Sequence, residues 1–107
     1  MVEISPLIYD KVNKFLSELE KNNFRIQTAI LFGSFANGTN NEFSDIDLAI
    51  VSEDFTGDRF EDKNKIRKFK AVAGWDISPM PFRPEDFADS YFARDEIIKK
   101  GRVLINR

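Results

Sequence analysis

The sequence predicts an α/β (α+β) domain, a small β-sheet carrying helices in the order α-β-β-α-β-α-β. Three observations lead there. Ile4, Leu7, Ile8, Val12, Phe15, Leu16 and Leu19 recur at helical spacing around Ser5-Pro6. Two apolar segments, Arg25 to Phe32 and Ser44 to Glu53, have strand length and are separated by a polar, turn-prone stretch. A third, Trp75 to Met80, alternates apolar with small or polar residues.

Taken in order, Ser5 can cap a helix and Pro6 suits its first turn, so residues 6–21 read as an amphipathic helix ended by Asn22-Asn23. The first strand runs from Arg25 to Phe32 and stops at Gly33. Ser34 to Ala36 begins a short helical turn, and Asn37-Gly38-Thr39-Asn40-Asn41 forms a surface loop. The second strand extends from near Ser44 to near Glu53. Gly57-Asp58 opens a basic helix that Gly74 closes, with Phe60, Ile66, Phe69, Val72 and Ala73 marking one face. The third strand starts at Trp75 until Pro79 restricts it, and Pro81 and Pro84 make an irregular link. Pro84-Glu85-Asp86 starts a helical turn, Tyr91 to Lys100 is the last helix with Gly101 as its C-cap, and Val103 to Ile105 is a short strand. There is no internal repeat or low-complexity segment. One domain over residues 1–107 is expected, with no room for a separate acceptor-binding domain.

The chemistry concentrates between Leu31 and Val51. A strand sends successive side chains to opposite faces, so Asp45, Asp47 and Ala49 share one face and Ile46, Leu48 and Ile50 the other. Two carboxylates crowded on a strand that otherwise reads as core are costly unless something positive lies between them. A divalent cation, Mg²⁺ first, is the economical explanation. Gly33 lets the backbone approach a phosphate, and Ser34 adds a hydroxyl at the start of a helical turn. Taken alone, Gly33-Ser34 is an ordinary strand-to-turn pair. Followed after ten residues by Asp-x-Asp, it should arise by chance in about one chain in a thousand of this size. The plain alternative for Asp45 and Asp47 is a strand cap and a solvent-facing residue. Asp76, between Trp75 and Ile77, is the third carboxylate, sharing the face of the other two if its strand pairs with the second, as two-metal phosphoryl chemistry requires. Its alternative is a turn residue after Gly74.

Composition removes other chemistries. The chain has no Cys and no His, which excludes disulfides, the usual zinc sites, thiol nucleophiles and imidazole bases. Sixteen basic residues against eighteen acidic give a net charge of −2, which argues against general nucleic-acid binding. Neither a P-loop nor a dinucleotide fingerprint is present. The N-terminal residues lack a signal-peptide pattern and no segment has the length of a membrane span, so a cytoplasmic protein is expected. Lys63, Lys65, Arg67, Lys68 and Lys70 either supply a cation to a phosphate or form a solvated helix face. Phe15, Phe24, Phe32, Phe60 and Phe69 are expected in the core. Phe82, Phe87, Tyr91 and Phe92 are core or an exposed partner surface.

Gly33-Ser34-Phe35-Ala36-Asn37-Gly38, through Ser44-Asp45-Ile46-Asp47-Leu48-Ala49-Ile50-Val51, resembles the DNA polymerase β-like nucleotidyltransferases, within them the minimal single-domain members. Asp76 and the ending Glu96 to Ile105 extend the resemblance over most of the chain. It implies the minimal nucleotidyltransferase fold with a small mixed sheet. It further implies Mg²⁺, as two ions, held by Asp45, Asp47 and Asp76, with Asp76 helping to deprotonate the incoming hydroxyl, and a nucleoside triphosphate, ATP first, cradled at Gly33 and Ser34. A HEPN-type protein partner, AMPylated on a tyrosine by an antitoxin-like enzyme, is implied as the acceptor. Many relatives carry Arg where this chain has Asn37.

Two functions follow. One is transfer of a nucleoside monophosphate from a nucleoside triphosphate to an acceptor hydroxyl, on a partner protein. The other is a non-catalytic nucleotide-binding subunit that acts on its partner by contact. A homo-oligomer fits either.

Overall fold

Ser5 caps as its position requires: its hydroxyl accepts from the Leu7 N–H at 3.1 Å, and Pro6 opens helix α1, Pro6–Lys21. The computed structural model describes residues 4–41 and 44–107. Ile8, Val12, Phe15, Leu16 and Leu19 form the buried stripe of α1. The strands are β1 (Thr28–Phe32), β2 (Ile46–Val51), β3 (Ile77–Phe82) and β4 (Arg102–Asn106). Their order is β3-β2-β1-β4, with β1 antiparallel to β2 and β4, and β2 parallel to β3. This is the small mixed sheet expected, in the expected order of main elements.

The pleat divides the core. Leu31, Ile46, Leu48, Ile50 and Ile77 pack against α1 on one face. Ile30, Phe32, Ala49, Val51 and Phe82 pack on the other against Ala93 and Ile97. Those two belong to α6, Ala93–Ile98, which winds in wide π-type turns where an ordinary helix over Tyr91 to Lys100 was expected. Gly101 closes it by close approach: a β-carbon there would collide with the Ile97 carbonyl oxygen and lie 2.6 Å from Cγ2 of Ile30. Between β1 and β2 lies the short α2 (Ser34–Asn37), between β2 and β3 lie α3 (Arg59–Arg67) and α4 (Lys70–Ala73), and α5 (Pro84–Asp89) follows β3.

Strand ends differ from the sequence reading where side chains capture the backbone. β1 starts at Thr28 rather than Arg25 because Asp54 accepts from the Arg25 N–H at 2.8 Å and from its guanidinium at 3.1 and 3.0 Å. Those hydrogen bonds hold the Asp54 carboxyl down to about 2. β2 is shorter than Ser44 to Glu53 because Ser52 Oγ accepts from the Asp54 N–H at 3.1 Å, turning the chain. β3 runs through Pro79 and Pro81 to Phe82. Ile46 N–H bonds the Asp76 carbonyl at 2.8 Å and Ser52 N–H bonds the Phe82 carbonyl at 3.0 Å. Even-numbered residues therefore face β2, and the two prolines occupy outward positions whose N–H needs no partner.

The basic helix breaks in two, with Phe69 N–H bonding the Ile66 carbonyl at 3.1 Å in the turn between α3 and α4. Its inward stripe is Asp62, Ile66 and Phe69, at helical spacing. Phe60 lies off that stripe and is 78% exposed, and Val72 is exposed too, correcting the expectation that both mark the buried face. Phe15, Phe32 and Phe69 are buried, and Phe24 is partly buried against Phe55 and Phe69. Phe82 and Phe87 pack inside while Tyr91 and Phe92 face outward.

Asp62, on the same helix as the basic residues, is 1% exposed. Its carboxylate accepts from Thr56 N–H at 2.8 Å, Thr56 Oγ1 at 2.9 Å and Gly57 N–H at 3.1 Å. Asp62→Ala should cost on the order of 2–3 kcal/mol in urea denaturation, because three donors lose their acceptor. Phe60→Ser should change stability by less than about 0.5 kcal/mol.

Candidate active site

The antiparallel register sets Phe32, the last residue of β1, opposite Asp47. The chain leaves β1 at Gly33, which has φ 75° and ψ −152° and starts α2. Two demands meet there. Positive φ strains any residue with a β-carbon. A β-carbon would also collide with Oδ2 of Asp47 and lie 3.2 Å from its Cγ. The Gly33 carbonyl accepts from Ala36 and Asn37 N–H at 3.1 and 3.2 Å, while Ser34 and Phe35 lie in the first turn, where N–H groups have no intrahelical acceptor.

Alternation along β2 puts Asp47 on the face of Ala49 and Val51, with Asp45 just before the strand. Asp47 is half-buried and Asp45 exposed. Desolvation first, and then the Asp45 charge, push the Asp47 carboxyl above its ordinary value. A partly desolvated carboxylate beside a like charge and against a backbone turn is a donor set suited to a hard divalent cation.

Asp76 lies immediately before β3, next to Asp45 through the bond from Ile46 N–H to the Asp76 carbonyl. Its carboxylate is engaged by α1: Lys11 Nζ lies 3.0 Å from Oδ2. The structure thus brings Asp45, Asp47 and Gly33-Ser34 together, and gives Asp76 to Lys11. Among the described residues there is no cluster of three or more acids arranged to hold a metal. The sequence carried no sign of Lys11, which is 65 residues from its partner. Asn37, with its amide nitrogen toward the turn, donates to the Gly33 and Ser34 carbonyls at 3.2 and 3.1 Å and to Thr39 Oγ1 at 2.8 Å. It fastens the turn to its own carbonyls. Of the basic helix residues, Lys65 pairs with Glu61 at 3.6 Å and Lys68 lies over the Phe69 ring. Lys63, Arg67 and Lys70 line a cleft at the β3 edge.

The family model described as a nucleotidyltransferase domain matches residues 9–104. The chain belongs to the nucleotidyltransferase domain family. This nucleotidyltransferase is similar in fold to a toxin–antitoxin crystallised with AMP-PNP, at TM-score 0.60 and 24% identity, covering 89% of this chain and 73% of that one. It is similar to a mutant of the toxin–antitoxin MntA-HpeT, at TM-score 0.58 and 26% identity over 90% of this chain and 72% of the other. A nucleotidyltransferase structure from Sulfolobus solfataricus matches at TM-score 0.60 and 17% identity, over 98% and 99% of the two chains. No curated protein matches the sequence. No helix among the described residues is long and apolar enough to cross a membrane.

The raised Asp47 carboxyl has a stability consequence whose sign is fixed. The folded nucleotidyltransferase holds that proton to higher pH than the unfolded chain, so stability falls as pH rises above the ordinary 3.8 through the folded value. In chelator, Asp47→Asn should therefore melt higher than wild type at neutral pH, by a few degrees at most, about 4 °C. The difference should narrow as pH falls through the folded value and close below about 3.8, where both states are protonated. Differential scanning calorimetry across that range checks both the sign and the window.

Proposed function

We propose that this nucleotidyltransferase is a Mg²⁺-dependent enzyme that moves AMP from ATP to a hydroxyl of a partner protein, acting as one minimal cytoplasmic domain over residues 1–107. The observation that carries the reading is the close approach of Gly33 to the Asp47 carboxylate, which joins a phosphate-compatible turn to a carboxylate pair. Likeness to a toxin–antitoxin crystallised with AMP-PNP supports an adenine nucleotide as donor and a protein as partner. The MntA-HpeT relative supports the antitoxin-like setting; in this reading the partner that carries the acceptor is of HEPN type.

Asp45 and Asp47 would hold one metal ion, and Asp76, once released by Lys11, would contribute to a second. When bound, Mg²⁺ supplies charge neutralisation at the phosphates. The chain's own groups do the rest. Backbone N–H groups after Gly33 and the Ser34 hydroxyl donate to phosphate oxygens and hold the triphosphate. With no His in the chain, the Asp76 carboxylate takes the proton of the acceptor hydroxyl. The acceptor oxygen bonds the α-phosphorus as the bond to pyrophosphate breaks, leaving AMP on the acceptor.

One observation favours a second reading, a non-catalytic nucleotide-binding subunit acting by contact: Asp76 already has a cationic partner in Lys11. Incubation with Mg²⁺, source-cell lysate and ATP labelled on the α- or the γ-phosphate separates the two. Transfer of the α-label alone to a macromolecule, dependent on metal and lost in Asp47→Asn, is the expected result. Absence of transfer from any nucleoside triphosphate would leave the contact-acting subunit.

A further inference from the structure

Between α3, α4 and the outer edge of β3 lies a cleft of about 300 Å³. Lys63, Arg67 and Lys70 line it at helical spacing, with the exposed Phe60 ring and Ser78. Among the described residues none of these three cations has an ion-pair partner. The nearest carboxylates along the helix are taken: Glu61 by Lys65, Asp62 by Thr56 and Gly57, and Asp58 by the Glu61 N–H. In a chain of net charge −2, three uncompensated cations around one cleft are a local excess that an anionic ligand would neutralise.

The cleft adjoins the reaction centre. Ser78 is the ladder partner of Asp47, one strand spacing of roughly 4.8 Å away. The manner of binding is also constrained. Pro79 and Pro81 occupy the outward positions of this edge and have no N–H, so an incoming strand finds no donors there. Whatever occupies the cleft is held by side chains, through charge and the Phe60 ring.

We infer that this cleft docks an acidic segment of the protein that presents the acceptor hydroxyl. The inference rests on the protein-acceptor reading above and assigns its recognition chemistry: carboxylates spaced to meet Lys63, Arg67 and Lys70, beside a hydroxyl that reaches Asp45 and Asp47. A short acidic segment fits better than a long nucleic acid, because a polyanion running past the cleft meets the acidic remainder of the surface.

The probe is a fluorescein-labelled polyglutamate peptide carrying one tyrosine, with a control in which glutamine replaces every glutamate. Binding is read by anisotropy without nucleotide or metal, so it does not depend on nucleotidyl transfer. The acidic peptide should bind wild type and weaken at least about fivefold in Lys63→Gln/Arg67→Gln/Lys70→Gln, in line with the loss of three rim charges. Added salt should weaken it as well. A lowered melting temperature in the triple variant would shift the comparison to Lys63→Gln alone, an exposed position, where a weaker but measurable loss is expected. Equal binding of the glutamine peptide, unchanged affinity in the cation variants, or no binding would overturn the inference. So would a single-stranded oligonucleotide or inorganic phosphate that binds the same cations more tightly than the acidic peptide does. Failure of nucleotidyl transfer with intact peptide binding would count against the enzyme reading and leave the docking site standing.

Discussion

The site depends on a single steric fact: the backbone at Gly33 lies so close to the Asp47 carboxylate that no β-carbon fits between them. Antiparallel pairing of β1 with β2 brings the end of one strand to the start of the other, and the missing side chain at Gly33 turns that juxtaposition into contact. The same contact removes water from Asp47 while Asp45 adds a like charge, so the carboxyl is raised and the pair is left unfavourable by itself. The sheet's two cores hold the strands in register. Local instability at the site is thus maintained by apolar packing on both faces.

Around that contact the fold arranges supports of ordinary kinds. Asn37 ties the turn to its own carbonyls. Asp54 gathers Arg25 and Asp62 gathers the Thr56-Gly57 turn, fixing the loop after β2 at two points. Lys11 gives Asp76 a positive partner, so the third carboxylate is held in an ion pair of its own rather than joining the other two. For Asp76 to serve a metal, that ion pair must open, and at 29% and 40% side-chain exposure its partners are accessible enough to separate at modest cost.

The elements and the heart of the site were legible in the sequence because they are written locally. Ser5-Pro6 caps α1, and Gly33-Ser34 with Asp45-x-Asp47 encodes the turn and the carboxylate pair by spacing alone. What was not legible depends on distant partners. Phe60 reads as core by composition, but the inward stripe of α3 is set by Asp62, whose donors lie on the preceding loop. Pro79 reads as a strand end, yet it is tolerated because β3 is an edge whose odd positions face outward, a property of topology rather than sequence. Asp76 falls just before β3 rather than on it, and its carboxylate pairs with Lys11, which carries no motif.

The most direct test of the central claim is an electron paramagnetic resonance titration of Mn²⁺, in place of Mg²⁺, into wild type, Asp47→Asn and Gly33→Ala in the presence of AMP-PNP, with folding of each checked by circular dichroism. Gly33→Ala decides, because glycine offers no metal ligand and acts only through the space and conformation it allows. If the Gly33–Asp47 contact builds the site, a folded Gly33→Ala should lose at least about tenfold in Mn²⁺ affinity, as Asp47→Asn does. A folded Gly33→Ala that binds Mn²⁺ like wild type would contradict the account.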